Sequence, residues 1–162
     1  AGFGSGIAIP GTGIAMQNRG AGFSLDPASP NVVGPNKRPF HTIIPGFLMG
    51  PDGPLMSFGV MGGPMQAQGH VQMVLRTQVW GQDPQMAVDA PRWRFVEGLK
   101  LACEDVMPAE MLKYLAQIGH LIELELPDNA VGFGGAQLIC RLPGGAYASG
   151  SDPRKDGLAA GF

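Results

Sequence analysis

The chain has 162 residues, 44% of them hydrophobic, enough apolar material for one domain, and its 26 glycines and 15 prolines make up a quarter of it. The apolar residues come in well-formed runs, so this composition describes a loop-rich globular piece and not a disordered one. A net charge of −2 with only 15% charged residues leaves the lysines and arginines scattered, which argues against a nucleic-acid partner.

In chain order, the first third reads as short extended pieces between glycine turns: Gly6 to Pro10, Gly13 to Gln17, then a Pro-, Asn- and Gly-rich loop from Asp26 to Asn36. Two apolar runs follow, Phe40 to Met49 and Leu55 to Met61. The Pro51-Asp52-Gly53 turn between them predicts an antiparallel hairpin. Both runs are apolar at successive positions, which predicts burial on two faces, as in an inner layer covered by helices. After Gly62-Gly63-Pro64 the period changes. Val71, Val74, Leu75 and Val79 recur at three and four, with Gly81 as the stop, which predicts a helix of about four turns. Asp83-Pro84 opens a short helix that ends before Pro91. A strand pair around Glu97-Gly98 is expected over Phe95 to Glu104. A helix over Pro108 to Ile118, with Met111, Leu112, Leu115 and Ile118 on one face, should end at Gly119. Strands at His120 to Leu126, Gln137 to Leu142 and Ala146 to Ser149 complete the pattern. Strands, helices and strands again suit an α+β layered sandwich better than an alternating parallel fold.

The residues exclude more chemistry than they name. The most apolar stretch, Ile43 to Met61, is broken by Pro45, Gly46, Pro51, Asp52 and Gly53, so no membrane-spanning segment is expected. Cys103 and Cys140 form no CxxC motif and read as two buried thiols. Gly4-x-Gly6 lacks the third glycine of a dinucleotide fingerprint, and there is no phosphate-binding loop or GxSxG elbow. His41, His70 and His120 lack zinc-ligand spacing and the carboxylates are dispersed, so no metal and no cofactor are expected. Gly62 and Gly63 admit two readings. They make a tight strand-to-helix turn, or they bring backbone N–H groups together at a helix N-terminus as an oxyanion hole. Thr42, in the first hairpin strand, could offer a hydroxyl to a ligand or be an ordinary strand threonine. These residues leave an anion-binding turn and no nucleophile.

Five segments taken together go further: Phe3 to Ser24 (FGSGIAIPGTGIAMQNRGAGFS), Gly34 to Gly46 (GPNKRPFHTIIPG), Gly59 to Gln72 (GVMGGPMQAQGHVQ), Asp89 to Arg94 (DAPRWR) and Ser151 to Phe162 (SDPRKDGLAAGF). In order and spacing they resemble the small subunit of gamma-glutamyltranspeptidases and the related cephalosporin-type acylases. The resemblance implies an N-terminal nucleophile hydrolase fold, an αββα sandwich that is incomplete in this chain, residues 1–162 being the C-terminal portion of one such domain. It implies a precursor that cleaves itself to free a threonine as nucleophile, upstream of Phe3 and absent here, and a large subunit as partner. This chain alone is therefore expected to be inactive. The implied substrate is a gamma-glutamyl amide such as glutathione, or a related acyl amide. The family suggests a periplasmic or secreted location, with a cytoplasmic one left open.

Residue by residue, the resemblance places Gly62 and Gly63 at the family's oxyanion-hole glycines. His41 and Thr42 stand where two serines commonly hold the donor carboxylate, and only Thr42 keeps the hydroxyl. Arg19 and Gly22 stand where well-known transpeptidases present a glutamine and an aspartate to the donor's α-amino group. A cation without a carboxylate suits a glutaryl-type acylase better, because a guanidinium pairs with a carboxylate and repels an ammonium. A non-catalytic binding relative is the remaining alternative.

Overall fold

The computed structural model describes residues 4–126 and 132–161, and the chain divides into two units, Ala1–Ile43 and Ile44–Phe162. In the first, Ser5 N–H donates to Met16 O, Met16 N–H to Ile7 O and Ile9 N–H to Ile14 O, making a small irregular hairpin with an Ala8–Ala15 bridge. The two predicted extended pieces thus pair with each other. A 3-10 turn at Arg19–Gly22 follows. Asn31 then ties the Pro-rich loop together, its Nδ2 donating to Gly22 O at 2.7 Å and its Oδ1 accepting from Phe40 N–H at 3.0 Å. None of the described residues of this unit is buried, so hydrogen bonds rather than a core order it.

The second unit holds two sheets. The first is antiparallel in the order β1-β2-β6-β7 and comprises β1 (Gly46–Gly50), β2 (Gly53–Met61), β6 (Gly135–Arg141) and β7 (Tyr147–Ser151). The predicted hairpin is present, but its first strand starts at Gly46 and not at Phe40. Pro45 has no N–H to give to a ladder, so pairing begins after it and leaves His41 and Thr42 outside the strand.

From β2 the chain enters α1 (Met65–Val74), which runs on through a π-helical turn, Leu75–Val79. The predicted four-turn helix is therefore present, with its last turn widened. The next helix, α2 (Pro84–Asp89), is capped as expected, Asp83 Oδ1 accepting from Met86 N–H at 2.9 Å. Both helices cover the same face of the sheet. Met56, Val60, Ala136 and Leu138 from the strands meet Met73, Ala87 and Val88 from the helices in one buried cluster. Each large side chain there contributes about 1.5–3 kcal/mol through burial. The expectation of two buried faces is corrected. Within this chain the opposite face carries Phe47 (61% exposed), Met49, Ile139 and Tyr147 (71% exposed), because α1 and α2 both lie on one side.

The second sheet contains β3 (Trp93–Glu97), β4 (Lys100–Glu104) and β5 (Leu121–Glu125). The β3–β4 pair is the predicted one, begun two residues earlier, whereas β4 and β5 run parallel. The connection between β4 and β5 is α3 (Ala109–Gln117), whose Leu112 and Leu115 pack on Leu101, Cys103 and Met107. Met111 and Ile118, predicted on the same buried face, are exposed. Cys103 is buried and Cys140 half-buried. Both are free, and burial pushes both thiols up. No helix among the described residues is long and apolar enough to cross a membrane.

His70 on α1 packs edge-on against Phe58 at 5.1 Å, with its Nε2 buried and without a hydrogen-bond partner. Burial lowers its pKa below the ordinary 6.5. The unfolded chain therefore binds a proton on this ring more readily than the folded one. The associated stability is complete above the ordinary histidine value and is lost as pH falls through it toward the lowered value. Between about pH 7.5 and about pH 5.5 the complete protein should lose thermal stability, and His70→Gln should lose less. Equal losses in calorimetric scans would remove His70 from this role.

Candidate functional site

At the end of β2 the ladder closes with Met61 opposite Gly135, and the chain turns into α1 through Gly62 (φ 139°), Gly63 (φ 60°) and Pro64. Both positive φ values lie where a side chain is strained, so the turn needs glycine. The two carbonyls are committed to the helix: Gly62 O accepts from Met65 N–H at 3.2 Å and Gly63 O from Gln66 N–H at 3.1 Å. Among the described residues no acceptor takes the Gly62 or Gly63 N–H, and no side chain caps the first turn of α1. Two open amides beside the positive end of a helix are an arrangement that stabilises negative charge on oxygen. Gly62 is buried, whereas Gly63 is exposed and a Cβ there would meet nothing within 4 Å.

The turn is backed from β6. Gly134 (φ 74°) stands so close to Met61 that an added Cβ would fall 2.2 Å from the Met61 carbonyl oxygen. Beside it the buried Phe133 gives its carbonyl to Arg92 Nη1 at 3.1 Å. In front of the turn lies a cleft of about 300 Å³, lined by Gly62, Pro64, Met65, Gln68, Arg94, Phe95 and Gly132. Gln68 reaches from α1 to β3, where its Oε1 accepts from Phe95 N–H at 2.6 Å. Arg94 pairs through Nη2 with Glu125 and lies over the Phe133 ring, Cζ to centroid 5.9 Å.

The segments that hold this region contain the polar cluster that sequence reading missed. Asp152 and Glu104, 48 residues apart and among the carboxylates described as dispersed, meet Arg92 and Arg154 in the interior. Arg92 is fully buried. Its Nη2 pairs with Asp152 and also donates to Val88 O at 3.2 Å, while its backbone N–H donates to Glu104 Oε2 at 2.7 Å. Arg154 donates through Nη2 to Glu104 Oε2 at 2.6 Å and to Ala90 O at 3.2 Å, and through Nη1 to Asp152 Oδ1 at 3.1 Å. Asp152 also accepts the N–H groups of Ala136 (2.7 Å) and Arg154 (2.9 Å). Burial by itself would raise the Asp152 pKa, but the Arg92 charge and these two N–H donors outweigh it and hold the carboxyl below its ordinary value. The only sequence signal was that Asp89 to Arg94 and Ser151 to Phe162 each carry an arginine within a recognisable motif.

The other predicted site residues lie in the first unit. Arg19 opens the 3-10 turn and is half-buried. His41 is exposed and stacks on Phe40 at 5.1 Å, and Thr42 is exposed in a segment outside any strand. His120 contacts Leu99 O at 3.2 Å. Among the described residues no group of three or more His, Cys, Asp and Glu is placed to hold a metal ion.

Residues 1–162 match the family model described as gamma-glutamyltranspeptidase. The chain is 38% identical to the oxamate amidohydrolase proenzyme of Klebsiella pneumoniae and 35% identical to the glutathione hydrolase-like YwrD proenzyme of Bacillus subtilis. In each case the match covers 99% of this chain and 31% of that protein. The crystal structure of cephalosporin acylase from Bacillus halodurans superimposes with a TM-score of 0.82 at 48% identity, over 98% of this chain and 30% of that one. The chain thus spans about a third of the length of these relatives.

Proposed function

The chain belongs to the gamma-glutamyltranspeptidase family, and from that premise we propose that it supplies the oxyanion-stabilising part of an amide-cleaving, acyl-transferring enzyme. The observation that carries this reading is the Gly62–Gly63 turn, with two open amides at the head of α1. In the proposed reaction a nucleophile from outside this sequence, a threonine freed by self-cleavage of a precursor, attacks the substrate carbonyl. Gly62 and Gly63 then donate to the oxygen that becomes negative. The four-stranded sheet with α1 and α2 on one face is one half of an αββα sandwich. The large subunit of the same precursor completes it over the face that carries Phe47 and Tyr147. Thr42, and more weakly His41, are the donor-binding candidates of the first unit.

The leading substrate is a gamma-glutamyl amide of the glutathione type. A second reading, a glutaryl- or cephalosporin-type acylase, is favoured by Arg19 and Gly22 in the loop after Gln17 and by the 48% identity to a cephalosporin acylase. One experiment addresses both: kcat/KM for matched gamma-glutamyl and glutaryl anilides, in the complete processed enzyme and in its Arg19→Gln variant. Turnover of at least one anilide is required by the proposal, and failure with both refutes it. A glutaryl preference that falls by about tenfold in Arg19→Gln supports the second reading. A gamma-glutamyl preference unchanged by the substitution leaves Arg19 as scaffold.

A further inference from the structure

The cleft in front of the Gly62 turn has two polar side chains in its wall, and each has a fixed orientation. Gln68 Oε1 is taken by Phe95 N–H at 2.6 Å, so the amide cannot turn over without breaking that bond, and the Nε2 end is the one left for the cleft that Gln68 lines. Among the described residues lining it, Arg94 is the one charged side chain. Its Nη2 is held by Glu125 and its plane lies over Phe133. Its Nε is buried without a partner, and among the described residues Nη1 has no acceptor. The wall of this cleft therefore presents N–H groups and no oxygen acceptor from either side chain. The ion pair and the ring contact hold the guanidinium in place before any ligand arrives, so little ordering cost is left to binding.

We infer that Gln68 and Arg94 form a carboxylate-binding subsite beside the oxyanion turn, so that the complete enzyme prefers amides bearing an acidic group on the acyl or the leaving side of the bond it cleaves. The inference rests on the function proposed above. It adds to that function a pair of specificity-determining residues within the second unit, independent of Arg19. A carboxylate here accepts from Arg94 Nη1 and Gln68 Nε2. A neutral isostere leaves both donors without a charged partner. The acid could belong to the acyl group or to the amine that leaves, and the two sources are separable by substrate.

The test uses the complete processed enzyme and two matched pairs: glutaryl against valeryl 4-nitroanilide for the acyl side, and 3-carboxy-4-nitroanilide against plain 4-nitroanilide of one acyl group for the leaving side. In at least one pair the acidic member should be preferred, and Arg94→Gln should reduce that preference by roughly tenfold or more. Gln68→Glu keeps an oxygen to accept from Phe95 N–H and removes the amide donor, so it should reduce the same preference with the β3 contact intact. Glu125→Gln, which keeps an oxygen to hold Arg94 Nη2 but removes the competing negative charge, should increase it. The pair that responds identifies the source of the acid. An active enzyme whose acid-to-neutral ratios do not move in Arg94→Gln or Gln68→Glu, whatever happens to absolute rates, overturns the subsite and leaves the proposed function standing. Loss of every amide activity in the unmodified enzyme would instead refute the proposed function.

Discussion

Gly63→Val in the complete processed enzyme should lower kcat by roughly a hundredfold or more, the range seen when a single oxyanion donor is lost. The reason is backbone and not bulk. A Cβ on Gly63 would meet nothing within 4 Å, but the residue sits at φ 60°, where a β-branched side chain is strained. Valine relieves that strain by moving φ to negative values, and this rotates the neighbouring peptides and turns their N–H groups away from the carbonyl oxygen. Gly63→Asn provides the comparison, since asparagine tolerates this region and should retain more of kcat. KM should change less than kcat, because the donors act mainly on charge that develops in the transition state. A processed, folded valine variant with unaltered kcat would return the glycine pair to a plain turn.

Asp152→Ala should destabilise the protein by about 3–5 kcal/mol, the cost of stripping one partner from a buried ion pair. The fully buried Arg92 guanidinium would lose its counter-ion, and the Ala136 and Arg154 N–H groups would lose their acceptor. Because Asp152 titrates below its ordinary value, the stability it provides is complete above about 4, the ordinary aspartate pKa, and disappears as pH falls through the lower value it has in the fold. Asp152→Asn, which keeps an acceptor oxygen but not the charge, should cost less than alanine. Urea unfolding of the complete protein measures both. A loss below about 1 kcal/mol for alanine, the scale of an exposed pair, would show that the cluster is not structural cement. This penalty describes a broken pair and not the net worth of an intact one, which for buried ions is often near zero.

Local chemistry was legible wherever it acts within a few residues. The Pro51-Asp52-Gly53 turn, the Asp83 cap with Pro84 behind it, the stop at Gly81 and the period change after Pro64 each gave their element in the right place. The strand starts at Gly46 and not at Phe40, because the missing N–H of Pro45 delays pairing whatever the apolar content before it. Two-sided burial of the hairpin was misread for a different reason. Apolar residues on both faces do not say what covers each, and among the described residues α1 and α2 cover one face of this sheet.

For the candidate site, the turn at Gly62 and Gly63 could be found from sequence because its requirement is a backbone conformation that only glycine meets easily. The same sequence, through the order of its five motifs, determined the family and the α+β character. It could not reveal that Asp152 and Glu104 converge on Arg92 and Arg154. That convergence depends on how β4, α2 and the chain after β7 pack, and no local rule relates residues 48 positions apart. Nor could it orient Gln68, whose amide is fixed by an N–H on β3, or place Arg94 beside the turn. Sequence determined what depends on a residue's own backbone and its near neighbours. The tertiary structure decided which distant charges are buried together and which donors face the cleft, because burial and pairing are properties of the packed whole.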